Sequence, residues 1–329
     1  MLSAVTAPSP WQWHPHPEVW LLVGLVIGLG FYVQRVIAPT MVAAGAAPIT
    51  QRQKRFFWAG VAVLWLASDW PVHDFGEQYL FSIHMVQHLV LSFVLPPLFL
   101  LATPTWLARL VIGRGRFGRT LQRMARPVVA GLAFNLFVAL SHWTVVVNHA
   151  VANGPFHFLL HLTLVALAVM MWMPVCGPLP ELRMPPLVQC AYLFLMSVIP
   201  TIPAAWLTFA EKPVYNAYDR PYRLWGVSVI QDQQAAGLIM KLAGGAYLWT
   251  LIIIIFFRWA VRNQAHEASH RVRVPAVVGA GAGNGARGIS SRSEDDAADH
   301  GDLLTWDDVH EELQRLGPAA PEPHGRPDP

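Results

Sequence analysis

The most constraining feature of this sequence is a stretch of 54 residues, from Pro127 to Pro180, that contains no Asp, Glu, Lys or Arg. A second stretch without these residues runs from Gln78 to Ala108. Hydrophobic residues make up 54% of the chain and charged residues only 13%, which excludes an ordinary soluble domain. Apolar runs of this length fit the hydrocarbon core of a bilayer, and the sequence therefore predicts an all-α membrane protein.

Proline, glycine and charged residues divide the apolar sequence into seven segments, each close to the roughly 20 residues that a helix needs to cross a bilayer. The predicted spans cover residues 19–38, 54–70, 79–101, 128–147, 156–174, 187–209 and 233–257. The second span is the weakest, since only 13 residues separate Arg55 from Asp69. We therefore predict a bundle of seven transmembrane helices over residues 18–260, preceded by a short outer segment of residues 1–17.

The short loops predict the direction of the spans, because loops rich in Lys and Arg stay on the cytoplasmic side. Basic residues follow the first, third, fifth and seventh spans, with six arginines from Arg109 to Arg126. Loops 69–78 and 148–155 contain none, and the loop from Glu211 to Asp232 is of mixed charge. This alternation places the N-terminus outside and the C-terminus in the cytoplasm. The near balance of 23 basic and 20 acidic residues gives no indication of nucleic-acid binding.

The composition changes at the end of the last span, and residues 261–329 are rich in Gly, Ala, Ser, Asp and Pro. Such a segment buries too little apolar surface to fold alone, so we predict a disordered cytoplasmic tail. Within it, Trp306, Val309, Leu313 and Leu316 share one face of a predicted amphipathic helix over residues 302–316. That helix either docks on a cytoplasmic partner or forms only transiently.

Nine of the 14 histidines precede the tail, and the predicted topology places all nine in the outer half of the protein. His84 and His88, like His157 and His161, are four residues apart and therefore point from one face of their helix. A single membrane histidine is more often a packing residue, but a group at one depth indicates function, because ionisable groups are costly inside a bilayer. We predict a metal or cofactor site from six histidines: His73, His84, His88, His142, His157 and His161.

Other polar residues accompany this group. Imidazole suits copper, zinc and iron, and a thioether such as that of Met240 would favour Cu(I), although methionine is also a common apolar filler. The seventh span begins with Asp232 and Gln233 and carries Lys241 about two turns further on. The predicted partner of Lys241 is an acidic or carbonyl group at the outer end, with Asp232 and Asp74 the nearest candidates by depth. A structural ion pair, a proton-transfer or anion-binding role and a neutral lysine are all compatible with this pattern.

The sequence resembles the CtaG family of integral-membrane cytochrome c oxidase assembly factors in four blocks. They read SDWPVHDFGEQYLFSIHMVQHLVLS from Ser68, PFHFLLHL from Pro155, GPLPELRMPPLVQCAYLFLMSVIPTIPAAWLTFA from Gly177 and LWGVSVIQDQQAAGLIMKLAGG from Leu224. The resemblance implies a non-enzymatic factor that helps copper reach oxidase subunits on the outer side of the bacterial cytoplasmic membrane. By this resemblance, the family's histidine-containing blocks correspond to His73, His84, His88, His157 and His161. The family's seventh-helix block corresponds to Asp232, Gln233, Met240 and Lys241.

Two other functions remain open from the sequence. The first is a membrane haem protein of b-type cytochrome character, which would need axial ligands from different helices, such as His84 with His157. The second is an ion-coupled or proton-coupled transporter, in which Lys241 and Asp232 would form the relay.

Overall fold

A computed structural model describes residues 11–113, 115–220 and 223–272 of the chain, with side chains as far as residue 265. Within these ranges the protein is helical and contains no β-strand. The longer helices among the described residues are, in chain order, α1 (Pro17–Ala43), α2 (Gln51–Ser68), α3 (Phe81–Ala102), α4 (Thr105–Ile112), α5 (Arg116–Met124), α6 (Pro127–Ser141), α7 (Thr144–Ala152), α8 (Gly154–Cys176), α9 (Pro186–Thr208) and α10 (Val229–Ala265).

Five of the described helices, namely α1, α3, α8, α9 and α10, are long and apolar enough to cross a membrane. They correspond to the first, third, fifth, sixth and seventh predicted spans, so the multi-pass helical architecture is confirmed. The pair α5 and α6, bent by 73°, adds a sixth span if the two helices count as one. The count of seven transmembrane helices stays a prediction.

The two remaining predicted spans differ from expectation. Helix α2 covers most of residues 54–70 but is not among the five apolar helices, because its first turns carry Arg52, Lys54 and Arg55. The fourth predicted span is interrupted at His142, where α6 ends. The His142 ring and the Ser141 hydroxyl both donate hydrogen bonds to the Val138 carbonyl and so cap the last turn of α6.

The last helix is longer than predicted. Beyond Ala265, the end of the apolar span given above for α10, the backbone stays helical as far as Val272, so residues 261–272, predicted to begin the tail, extend this helix. The rest of the predicted tail and the predicted helix at 302–316 lie outside the described residues.

Helix α3 is the most buried of the five apolar helices and contacts α2, α8 and α10. Its N-terminal residue Leu80 supplies no capping side chain. Instead, the Asp232 carboxylate of α10 accepts hydrogen bonds from the backbone N–H groups of Phe81, at 2.7 Å, and Ser82, at 3.0 Å. These are two of the donors that the first turn of any helix leaves without an intrahelical partner. A distant part of the sequence therefore fixes where α3 begins.

Helices α9 and α10 approach each other closely at Gly237. A Cβ atom at this position would lie 2.6 Å from the Ala204 carbonyl oxygen and 2.5 Å from the Thr208 hydroxyl oxygen. Only a residue without a side chain fits this close crossing of α9 and α10.

Three of the apolar helices contain a single π-helical segment. These segments are Val33–Ile37 in α1, Val90–Val94 in α3 and Ile239–Ala243 in α10. A π turn has i to i+5 hydrogen bonds and accommodates one residue more than an α turn. In α3 the wide turn begins two residues after His88, whose carbonyl accepts the Ser92 hydroxyl.

The loops at the basic end of the helices contact one another. The Trp106 indole donates to the Ala47 carbonyl at 3.2 Å, the Thr105 hydroxyl donates to the Pro178 carbonyl at 3.0 Å, and Arg109 pairs with Glu181 at 3.7 Å.

The loops at the other end also bind each other. The Asn148 side-chain oxygen accepts the Ala217 N–H at 3.1 Å, and the Tyr218 hydroxyl donates to the Gly76 carbonyl at 3.2 Å. The six arginines from Arg109 to Arg126 thus lie at the first end, whereas the second end includes the mixed-charge loop between α9 and α10.

Candidate metal centre

Helices α3 and α8 place their two histidine pairs against each other. The Nε2 atom of His161 lies 2.9 Å from Nε2 of His157 and 3.1 Å from Nε2 of His88. The His84 ring centroid is 4.3, 5.2 and 5.4 Å from those of His88, His157 and His161, respectively. These four residues, with the Glu77 carboxylate described below, are called the imidazole cluster.

The start of α8 fixes the position of His157. The Asn153 side-chain oxygen accepts the Phe156 N–H at 3.0 Å, and Pro155 occupies the first turn, where a missing N–H is tolerated. His157 therefore lies in the first turn of α8, and His161 follows one turn later on the same face.

Glu77 is a member of the cluster that the sequence analysis missed. It lies in the π-helical segment Phe75–Tyr79, with its Oε1 atom 2.9 Å from Nδ1 of His157. One donor atom from each of Glu77, His84, His157 and His161 lies within 4.8 Å of the others. The four-residue spacing of His73 and Glu77 could have indicated it, because the same spacing identified the histidine pairs.

Burial alone raises the pKa of the Glu77 carboxyl, but the hydrogen bond from His157 and the nearby imidazoles outweigh it and hold the pKa below its usual value. Burial also lowers the pKa of His73, against the opposing effect of Glu77. The outer edge of the cluster thus pairs an ionised carboxylate with a neutral imidazole, the forms in which both groups bind metals.

The hydrogen bonds available in the cluster do not satisfy all of its nitrogens. Nδ1 of His157 faces the Glu77 carboxylate, which leaves Nε2 of that ring toward His161. A proton on Nε2 of His161 can then serve either His157 or His88, but not both. Nδ1 of His84 is buried without a hydrogen-bond partner. Buried polar atoms of this kind require an explanation, and a bound cation would satisfy several of them together.

His142 lies beside the cluster rather than within it. Its ring centroid is 6.2 Å from that of His88, and its Nε2 atom is 3.4 Å from the Met85 sulfur. The predicted ligand Met240 lines a neighbouring cavity that also contains Met85 and His142.

His73 and Asp74 connect the cluster to the N-terminal segment. The Asp74 carboxylate accepts hydrogen bonds from His14, at 2.9 Å, and His16, at 2.7 Å, and the His16 ring packs edge-on against His73 at 4.8 Å. Nδ1 of His73 is 3.8 Å from the Glu77 carboxylate. A series of imidazole and carboxylate groups therefore leads from half-exposed His14 to the buried cluster.

A family model described as cytochrome c oxidase caa3 assembly factor matches residues 30–262, which is most of the chain. The protein belongs to this family. The family resemblance of the four sequence blocks is thereby confirmed, and as a member the protein is a factor in cytochrome c oxidase assembly. Comparisons with curated proteins and with solved structures gave no match. Of the residues described above, His14 and His16 lie outside the part of the chain that matches the caa3 assembly factor family.

The two carboxylates predicted as the nearest partners of Lys241 do not bind it, whereas a carbonyl group, the other predicted kind of partner, does. The Lys241 ammonium group donates to the Thr201 hydroxyl at 2.6 Å and the Ser197 carbonyl at 3.3 Å, both on α9. Asp232 instead caps α3, and Asp74 binds the N-terminal histidines. Asp232 and Lys241 are nine residues apart on one helix, a rise of about 13 Å, which is too far for an ion pair.

In this caa3 assembly factor, Gln233 binds the backbone of the loop between α9 and α10. Its side-chain oxygen accepts the N–H groups of Val214 and Tyr215, and its amide donates to the Tyr215 carbonyl. The Tyr215 hydroxyl in turn donates to the His142 carbonyl at 2.8 Å. Gln233 therefore holds the loop that supports His142.

Proposed function

We propose that this assembly factor binds copper at the imidazole cluster and hands the ion to cytochrome c oxidase, as cargo, at the outer face of the bacterial cytoplasmic membrane. The observation that carries the proposal is the approach of four donor atoms, from Glu77, His84, His157 and His161, to within 4.8 Å of one another. We infer a binding and scaffolding role without catalysis, with oxidase subunits as the partners.

The donor set suits an exchangeable copper ion. Imidazole nitrogen binds copper well, and the cluster contains no thiolate, because the two cysteines of the chain are Cys176 and Cys190. The hydrogen bond from His157 to Glu77 resembles the carboxylate contact that orients metal-binding histidines. A ligand set without thiolates, reached through partly exposed His14 and His73, favours release of the ion to a partner over permanent storage.

Packing of the rings favours copper over haem. A porphyrin held by His84 and His157 must lie between the two axial rings. The His84 and His157 ring centroids are 5.2 Å apart, and both rings also contact His161. Haem binding would require the cluster to separate. A relay through Lys241 and Asp232 is equally disfavoured, since each is bound elsewhere.

The orientation supports delivery on the outer side. Loops that carry arginines contact each other at one end of the helices, and basic loops face the cytoplasm. The histidines of the imidazole cluster lie near the opposite end, in the first turns of α3 and α8, and that end then lies outside, next to the N-terminal segment. In this arrangement α2 and α6 cross the membrane with the five apolar helices, and the tail, with any partner of residues 302–316, is cytoplasmic.

A reporter that functions only in the cytoplasm is expected to be active when it is fused after Arg262, because the basic loops require that end of α10 to be inside. The same reporter inserted in the loop between α7 and α8, at Asn153, is expected to be inactive. Activity of a reporter that functions only after export, at the Arg262 junction, would contradict the orientation and place the cluster on the cytoplasmic side.

Copper binding is tested most directly by replacing His157 and His161 together with Ala. We expect copper affinity to fall by more than about 10-fold, because loss of an outer-shell partner alone costs at least that much. Copper per protein would be measured after equilibration with a competing chelator.

His149→Ala is the matched control, since His149 is exposed on the adjacent α7 and packs against Phe156 outside the cluster. Copper binding that is equal in the double variant and in this control would refute the proposed ligands.

A further inference from the structure

Met85 and His142 form a contact that the imidazole cluster does not include. The Met85 sulfur lies 3.4 Å from Nε2 of His142, and the two residues are only 2% and 5% exposed. Met85 is on α3 and His142 ends α6, so the contact joins two helices. Both residues line the cavity that contains the imidazole cluster and also the next cavity, which contains Met196 and Met240.

The hydrogen bonding of His142 fixes what its Nε2 atom presents to the sulfur. Nδ1 is 2.7 Å from the Val138 carbonyl oxygen, which can only accept, so Nδ1 carries the proton. In the neutral ring Nε2 then has a lone pair and no proton. That lone pair faces thioether sulfur, which is also an acceptor. Two buried Lewis bases thus face each other with no hydrogen between them.

A soft cation satisfies both groups. Thioether and imidazole together are ligands that select Cu(I), whereas Zn(II) prefers nitrogen, thiolate and oxygen. Metal bonds of about 2.0 Å to nitrogen and about 2.3 Å to sulfur span 3.4 Å when the ion lies to one side of the line between the two atoms. An ion in that position would be bound at a bent angle.

We propose that Met85 and His142 form a second metal site, selective for Cu(I), beside the imidazole cluster. The proposal rests on the copper function proposed above and specifies the oxidation state of the ion that leaves the cluster. His88 borders both cavities and lies next to both groups of ligands. The second site therefore gives the ion a further position along α3.

The test uses full-length protein labelled with selenomethionine and loaded anaerobically with Cu(I). X-ray absorption is expected to show copper–selenium scattering in the otherwise unchanged sequence, and M85L is expected to abolish it. Leu replaces Met with little change in volume, so the fold is retained. M196L is the matched control, since Met196 lines the same second cavity but its sulfur accepts the Asn135 amide.

Affinity measurements separate this proposal from the proposed function. M85L should lower Cu(I) affinity by more than about 10-fold while Zn(II) affinity changes by less than about twofold. Copper bound with nitrogen scattering alone, or copper–selenium scattering that persists in M85L, would overturn the second site and leave the imidazole cluster intact. If the unsubstituted sequence binds no copper, the proposed function itself fails.

Discussion

Replacement of Asp232 with Ala is expected to lower the free energy of unfolding by about 3 kcal/mol and to remove copper binding with it. The Asp232 carboxylate is buried and accepts the N–H groups of Phe81 and Ser82, which begin α3. Each hydrogen bond to a charged group contributes about 1.5–3 kcal/mol, and its loss here leaves a buried donor without a partner. Since α3 carries His84 and His88, disorder in its first turn also displaces two of the proposed ligands.

The measurement is thermal unfolding of the purified protein in detergent, with copper content determined on the same samples. Asp232→Asn keeps one acceptor oxygen and should show a smaller loss of stability. Asp219→Ala is the control, because Asp219 is half exposed and its carboxylate pairs with Arg223 at the surface; a change below about 0.5 kcal/mol is expected there. If Asp232→Ala unfolds at the temperature of the control, the cap is not what stabilises α3.

Oxidase activity in the host should fall by more than about 10-fold when His84 and His88 are both replaced with Ala. The change removes the α3 side of the imidazole cluster, and loss of even an outer-shell contact reduces metal affinity or activity by 10-fold or more. Added copper in the growth medium should restore part of the activity, because mass action compensates for a weakened site.

Oxidase activity would be measured together with the amount of this protein in the membrane, and His149→Ala again provides the control. Loss of activity without any rescue by copper, at a normal protein level, would indicate a scaffold that acts independently of copper. Normal activity in the double variant would indicate that the four histidines of the imidazole cluster serve only in packing.

Much of the fold could be predicted because hydrophobic length is a local property of the sequence. The five apolar helices follow from that length alone. The interruption at His142 could not be predicted in the same way, since it depends on side chains that bond back to the Val138 carbonyl. The cap of α3 could not be predicted either, because the Phe81 and Ser82 donors and the Asp232 acceptor lie about 150 residues apart in the chain.

In the candidate site, too, local spacing could be read from the sequence, whereas contacts between distant segments could not. The four-residue spacing predicts that His84 and His88 share a face, but only the packing of α3 on α8 brings them to His161. Glu77 was missed because it lies in an irregular segment between predicted elements. The carboxylates Asp232 and Asp74 were the wrong candidates for Lys241 because similar depth in a bilayer does not establish contact; the ammonium group donates instead to Ser197 and Thr201 of the neighbouring helix α9.

The wide turn at Val90–Val94 divides α3 into two parts with different angular phase. Removal of one residue there would convert it to an α turn and leave the two parts of the helix in the same orientation, because the π turn already absorbs that residue. A helical wheel drawn through the whole of Phe81–Ala102 therefore assigns the wrong face to every residue after the turn. The same holds for α1 and α10. These three positions are where related chains can differ in length by one residue inside a membrane span, and sequence alignments should place such gaps there.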